Sequence, residues 1–152
     1  DATLGEELEA VDNYIYILNV RFAGDIHFNK DVDESLENVR VPSMILQPVV
    51  ENAVNHGIRD IEWEGKIHLT VTGDADYIRI SVKDNGKGMT PEQIESVLSG
   101  NKEHCNEQSD STGIGMNNVI SRLELYYEEP GLVEINSDGE NKGTEVVIYI
   151  PV

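Results

Sequence analysis

Apolar residues recur along this chain in two rhythms, and the switches between them mark out its elements. Ile67, Leu69 and Val71 alternate with His68, Thr70 and Thr72, and Ile78, Ile80 and Val82 alternate within YIRISVKD. That is the period of strands with one buried face. Elsewhere the spacing is three and four: Leu4, Leu8, Val11, Ile15, Leu18 and Phe22 step this way, as do Met116, Val119, Ile120, Leu123 and Tyr127 up to Pro130 and Gly131. These are helices with an apolar stripe. The pattern predicts helix over 4–22, strand near 25–32, helix over 44–57, strands over 66–73 and 77–84, helices over 91–99 and 115–127, and strands over 132–137 and 144–150. That order describes a two-layer α/β sandwich, with helices on one face of a sheet. No internal repeat interrupts it.

The stretch LQPVVENAVNHGI, 46–58, is the most informative. At about 100° per residue, Leu46, Val49, Val50, Ala53, Val54 and Gly57 fill one apolar arc of a helix, while Glu51, Asn52, Asn55 and His56 share the opposite one. Asn is a mediocre helix former, and a merely wet face is usually built from Lys or Glu. Two readings fit this segment alone: an amphipathic helix with incidental asparagines, or a helix that turns a ligand-binding face toward a metal and phosphate.

Two glycine elements follow. DNGKGM, 84–89, closes the second strand. Asp-Asn-Gly between strands is a hairpin signal by itself. Thr90, Pro91 and Gln93, however, form a T-P-x-Q helix start, with Thr as N-cap and Gln able to close a capping box. The loop therefore joins strand to helix, with the Asp84 carboxylate at the strand's end and bare backbone at Gly86 and Gly88. In STGIGMNNVISRL, 111–123, Gly113 and Gly115 open the next helix. Its N–H groups and dipole there favour an anion. Neither the dinucleotide fingerprint nor the P-loop spacing is present.

In their order and gaps these segments resemble the ATP-binding catalytic domain of sensor histidine kinases, in the superfamily that includes gyrase, the heat-shock chaperone ATPases and the mismatch-repair ATPases. ENAVNHG looks like the N box, DNGKGM and TGIGMNN like the two glycine boxes, and GTEVVIYIP, 143–151, like the closing strand. LQPVVENAVNHGI and Gly-Ile-Gly-Met-Asn-Asn look most like the LytS and YesM type of bacterial receptor kinase. The resemblance covers about residue 4 to 152. It implies the Bergerat α+β fold, a mixed and mostly antiparallel sheet with helices on one face. It also implies that residues 1–22 are the end of a dimerisation helix and 23–152 the ATP-binding domain.

Carried over residue by residue, the resemblance implies ATP and Mg²⁺ as ligands. Asn52 would hold the metal, and Asp84 would accept the adenine amino group. Gly86 and Gly88 would shape the base pocket, and Gly113 and Gly115 would meet phosphate. Thr144 would reach the base through water, and His56 and Asn118 would lie on the phosphate side. Asn55, Met89, Thr112, Ile114 and Met116 complete the nucleotide-binding set, and Glu51 and His56 are candidates for a catalytic part. Two departures matter. Hydrolases of the superfamily carry a water-activating Glu four residues before the metal Asn, where this chain has Pro48, which cannot act as a base. Many kinases place Lys where this chain has Asn55, so phosphate charge falls to the metal, His56, or Lys87, Lys102 and Arg122.

Composition narrows the partners. With 39% hydrophobic and 26% charged residues, the chain of 152 residues reads as one globular domain. A net charge of −18 argues against nucleic acid or an anionic lipid surface as a direct partner. ATP is not excluded, since screening beyond about 8 Å leaves local groups to decide phosphate binding. The lone cysteine, Cys105, fits a reducing compartment. The polar run 100–112 reads as a lid or as disorder. The first residue is Asp, so the chain reads as a piece of a longer protein. The stripe from Leu4 to Phe22 fits a dimerisation seam or a helix packed on its own domain.

A kinase of this type needs a phosphoacceptor histidine on a helix. His27 and His68 sit on the polar sides of strands, His104 in the lid and His56 on the nucleotide helix, so the acceptor is expected upstream of residue 1. The resemblance implies a homodimeric, membrane-anchored receptor kinase, this chain being a cytoplasmic domain of it with a response regulator as partner. An ATPase of the same fold and a non-catalytic nucleotide-sensing or partner-binding module are the alternatives.

Overall fold

A computed structural model of the chain describes residues 1–21, 26–99 and 110–152, with side chains in the last stretch described from residue 115 onward. In order, the elements are β1 (Ala2–Thr3), α1 (Leu4–Arg21), β2 (Ile26–Val32), a 3-10 turn (Glu34–Leu36), β3 (Arg40–Val41), α2 (Leu46–Asn52), a π-helical turn (Ala53–Ile58), β4 (Gly65–Gly73), β5 (Tyr77–Asp84), α3 (Pro91–Ser99), α4 (Asp110–Tyr127), β6 (Val133–Asn136) and β7 (Thr144–Pro151). Five strands form one sheet in the order β2-β4-β5-β7-β6. Only β2 and β4 run parallel; the other pairs are antiparallel. The expected α+β sandwich with a mixed, mostly antiparallel sheet is therefore what forms.

Alternation along the strands builds the core. Val71, Ile80 and Ile148 lie in one row across β4, β5 and β7, and Leu69, Val82 and Val146 lie in the next. None of these six is more than 5% exposed. Helices cover this face, supplying Leu4, Leu8, Val11 and Ile15 from α1, Leu46, Val49 and Val50 from α2, and Met116, Val119 and Leu123 from α4 to the same cluster. Each such side chain stabilises the fold by about 1.5–3 kcal/mol on burial. The stripe of α1 is thus spent inside the domain at least as far as Ile15, while Tyr16, Ile17 and Val20 stay exposed on its outer side. Phe22 lies outside the described residues.

The helix expected at 44–57 is two structures. Regular α geometry ends at Asn52, and the Arg59 N–H then reaches back to Val54 O at 2.9 Å, closing a π turn. An extra residue in the last turn is invisible to a periodicity of 3.6. The helix expected from 115 starts at Asp110, so Gly113 and Gly115 lie within its first two turns instead of opening it. The capping box of α3 forms as read: Thr90 N–H donates to Gln93 Oε1 (2.9 Å) and Gln93 N–H to Thr90 Oγ1 (3.2 Å).

The N-cap residue of α2 is Ile45, which provides no side-chain cap. The cap comes from α1. Glu7, 6% exposed, accepts the N–H groups of Met44 (3.0 Å), Ile45 (2.8 Å) and Leu46 (3.2 Å). These are donors that a helix leaves without internal partners.

Candidate functional site

The third row across the sheet breaks the apolar pattern. Ile67, Asp84 and Thr144 stand side by side on the helix-covered face, near the start of β4, at the end of β5 and at the start of β7. Asp84 is 6% exposed and Thr144 7%. The carboxylate accepts the Gly86 N–H at 2.9 Å and the Thr144 backbone N–H. Burial nevertheless pushes the Asp84 carboxyl up to about 6, against the pull of those two donors. At neutral pH it is an ionised acceptor with lone pairs to spare, held rigidly in a dry place.

Glycines make that place. A Cβ on Gly57, in the π turn, would stand 2.7 Å from Asp84 Cγ. A Cβ on Gly86 would strike the Gly57 carbonyl, which accepts the Lys87 N–H at 2.8 Å. Gly88, at φ 73°, faces the Gly139 carbonyl, and Gly143, at φ 77°, faces the Asp84 carbonyl. Gly86 and Gly88 thus give their missing side chains to protein backbone. Gly115 differs, because a Cβ there would meet no described atom within 4 Å.

Around this knot the loop is tied down by hydrogen bonds. Asn85 accepts the Lys66 N–H (2.8 Å) and donates to Glu64 O (2.8 Å), while Trp63 Nε1 donates to Asn85 O (2.7 Å). Met89 N–H donates to Ser137 Oγ (3.0 Å), whose hydroxyl donates to Gly143 O (2.7 Å). Sequence reading missed Gly57, Trp63, Ser137, Gly139 and Gly143 as parts of the site. The rule that glycines mark turns applied only to the last two, lying in SDGENKG between strands.

Asn52 ends α2 directly before the π turn. Pro48 sits in the first turn of that helix, where its missing N–H costs nothing. The Asn52 Oδ1 is buried and, among the described residues, has no hydrogen-bond partner. Such an orphan is rare and asks for a ligand. Asn55 is exposed, and Glu51 is half-buried close enough to Tyr14 of α1 to help burial push that phenol up to about 12.

His56 is half-buried, and desolvation, then the charges of Lys87 and Arg59, hold its imidazole below the usual range. Both effects favour its uncharged form. Arg122, expected as a mobile cation, is instead bonded to Met44 O (3.2 Å) and Ser43 Oγ (3.3 Å), beyond the opposite end of α2 from Asn52. Lys87, named in the sequence, and Arg59, which the sequence reading passed over, are the cations whose charges act on His56. Asn118 is exposed on α4, Met116 is buried in the core at 1% exposure, and Met89 is half-buried against it. The side chains of Thr112, Gly113 and Ile114 lie outside the described residues, as do Lys102, His104, Cys105 and the expected lid up to residue 109.

A buried carboxylate at a strand end, a glycine-packed loop and an asparagine-bearing helix on one side of this mixed sheet are features of the Bergerat class of ATP-binding domains. The chain belongs to the histidine kinase-, DNA gyrase B- and HSP90-like ATPase family, which matches residues 40–152. It is 34% identical over 146 residues to the sensor histidine kinase YpdA of Escherichia coli and 31% identical over 149 residues to the sensor histidine kinase YesM of Bacillus subtilis. These alignments cover 96% and 98% of this chain but only 24% of either relative. Among solved structures, the catalytic domain of histidine kinase ThkA superposes with a TM-score of 0.69 at 20% identity, covering 98% of this chain and 93% of that one. A blue-light-activated histidine kinase of Erythrobacter litoralis gives 0.65 at 21%, covering 98% and 61%. Those likenesses bear on the fold.

Proposed function

We propose that this chain is the Mg·ATP-binding part of a two-component sensor kinase, which holds ATP and presents its γ-phosphate to a histidine on another segment of the protein. The observation that carries this reading is the buried Oδ1 of Asn52, which has no hydrogen-bond partner among the described residues. Mg²⁺ takes hard oxygen ligands, few of them from protein, the rest being water and phosphate. Among the described residues no three His, Cys, Asp or Glu side chains gather as a metal cage. A single carboxamide oxygen beside phosphate fits that economy. The bound metal would neutralise phosphate charge and orient the γ-phosphoryl group.

The chain's own residues supply the rest. Asp84 accepts from the adenine amino group, with Thr144 beside it. Gly115, around which a Cβ would meet no described atom within 4 Å, admits phosphate in the first turns of α4, and Lys87 and Arg59 supply positive charge close to His56. A hydrolase of this fold is disfavoured, because Pro48 has no group that could activate water. The acceptor histidine, the response regulator, homodimerisation through the region leading into α1 and anchorage of the whole protein at a membrane, with this domain on the cytoplasmic side, belong to the same proposal. Among the described residues no helix is long and apolar enough to cross a membrane.

The test is calorimetry of ATP binding with Mg²⁺ and with chelator. Affinity is expected to fall without metal, and Asn52→Ala is expected to bind equally weakly in both conditions while melting near the parent. Equal affinity of the parent in both conditions rejects the metal assignment. Joining a histidine-bearing dimerisation segment upstream is expected to yield phosphohistidine on that segment. Label on His27, His56, His68 or His104 of the isolated chain would reject the division of labour.

A further inference from the structure

The Glu7 carboxylate has no part in the proposed chemistry, yet it is buried and collects three backbone donors from the turn that opens α2. A charge removed from water is costly unless such bonds satisfy it. A Ser or Asp at position 45 would have capped α2 locally; Ile45 stands there, and the cap crosses from α1 instead. The same turn is gripped from the other side by Arg122 of α4, through Met44 O and Ser43 Oγ, with Met44 held at φ 59°.

We propose that Glu7 is a positioning residue for the nucleotide site, setting where α2 lies along its own axis and thereby where Asn52 Oδ1 points. From Leu46 to Asn52 the helix rises about 9 Å as one rigid rod. A shift of the capped turn is therefore delivered to Asn52 with little loss. Charged acceptors at a helix N-terminus bind more strongly than neutral ones, so the isosteric Glu7→Gln loosens this grip without emptying the space. The proposal rests on the reading of Asn52 as metal ligand, and its test separates the two.

Glu7→Gln and the shorter Glu7→Asp are compared with the parent and with Ile135→Val, a core variant on β6 at the far edge of the sheet. Each is melted, titrated with ATP in Mg²⁺ and in chelator, and examined by ¹⁵N NMR without nucleotide, the Asn52 side-chain NH₂ signals being identified by their loss in Asn52→Ala. The expected result for the Glu7 variants is a roughly threefold to tenfold smaller gain in affinity from Mg²⁺, with chelated-ATP affinity unchanged and the Asn52 signals displaced. Ile135→Val is expected to lower the melting temperature alone. Glu7 variants that melt lower but keep the parent's Mg²⁺ gain and Asn52 signals overturn the proposal. A parent with no Mg²⁺ gain rejects the metal reading, and the Asn52 signals then decide: displaced they support the positioning role, unmoved they overturn it.

Discussion

Gly57 lies against the Asp84 carboxylate so closely that any side chain on it would occupy the carboxylate's own space, its Cβ 2.8 Å from both oxygens. Asp84 sits on a framework strand and Gly57 in the π turn, so the two ends of the proposed site register on each other through this contact. Gly57→Ala is expected to cost about 1–3 kcal/mol of stability through overpacking. It should also weaken ATP binding by roughly tenfold or more as the carboxylate is displaced. Thermal melts beside calorimetry check both effects, and parent-like affinity would count against the contact as a determinant of the site.

Asp84 is expected to make stability depend on pH in a defined direction. Its folded pKa of about 6 lies above the usual carboxylate value of 3.8, because burial disfavours the charge. Protonation therefore favours the folded state. The contribution is fully present below the unfolded value and is lost as pH rises through 6. Measured against Asp84→Asn, the parent should gain about 1 kcal/mol between pH 7 and pH 5. Denaturant titrations at both pH values give the difference, and a gain in the opposite direction would reject the buried-carboxylate account.

The same carboxylate is expected to select adenine over guanine. Adenine offers it an amino donor, whereas guanine presents a carbonyl at the same ring position and leaves two acceptors opposed. In a dry pocket that mismatch costs about 2–4 kcal/mol, or roughly 30-fold to 1000-fold in affinity. Competition of ATP with GTP is the measurement, and Asp84→Ala should lose most of the preference. If Asp84 only shaped the turn, the variant would keep the parent's ratio.

Trp63 is the chain's single tryptophan, and its indole donates to the carbonyl of the residue after Asp84. Nucleotide settling on Asp84 is expected to alter its fluorescence, with a midpoint matching calorimetry, and Asp84→Ala should abolish the change. Trp63→Phe, which removes the donor, is expected to cost about 1 kcal/mol. A titration leaving the emission untouched would place the nucleotide away from the Asn85 end of the loop.

What could be read from the sequence was whatever short-range periodicity or local capping chemistry decides. Strands β4 and β5 announced themselves by alternation, and α3 by Thr90, Pro91 and Gln93, which need only each other. Asn52 and Asp84 stood out because their residue types suited neither a wet helix face nor an apolar row. Other features arise between segments far apart in the chain. Gly57 looked like one more member of an apolar arc, although its smallness answers to Asp84 and Gly86. Glu7, an acid in a helix's first turn, drew no notice in the sequence, because the donors it holds lie beyond two intervening strands. The π turn escaped because it breaks the very period used to find helices, and Arg122 looked free because nothing nearby in sequence names Met44 as its partner.

The sheet order β2-β4-β5-β7-β6 makes the last strand of the chain an interior one. Thr144, which flanks Asp84, begins that strand, and residues through Pro151 complete the pairing that makes β5 interior. During synthesis, then, every other part of the proposed pocket leaves the ribosome before the pocket exists. Without β7, β5 would be an edge strand and Asp84 would lack Thr144 beside it, so nucleotide binding is expected only once residues 144–151 have paired with β5.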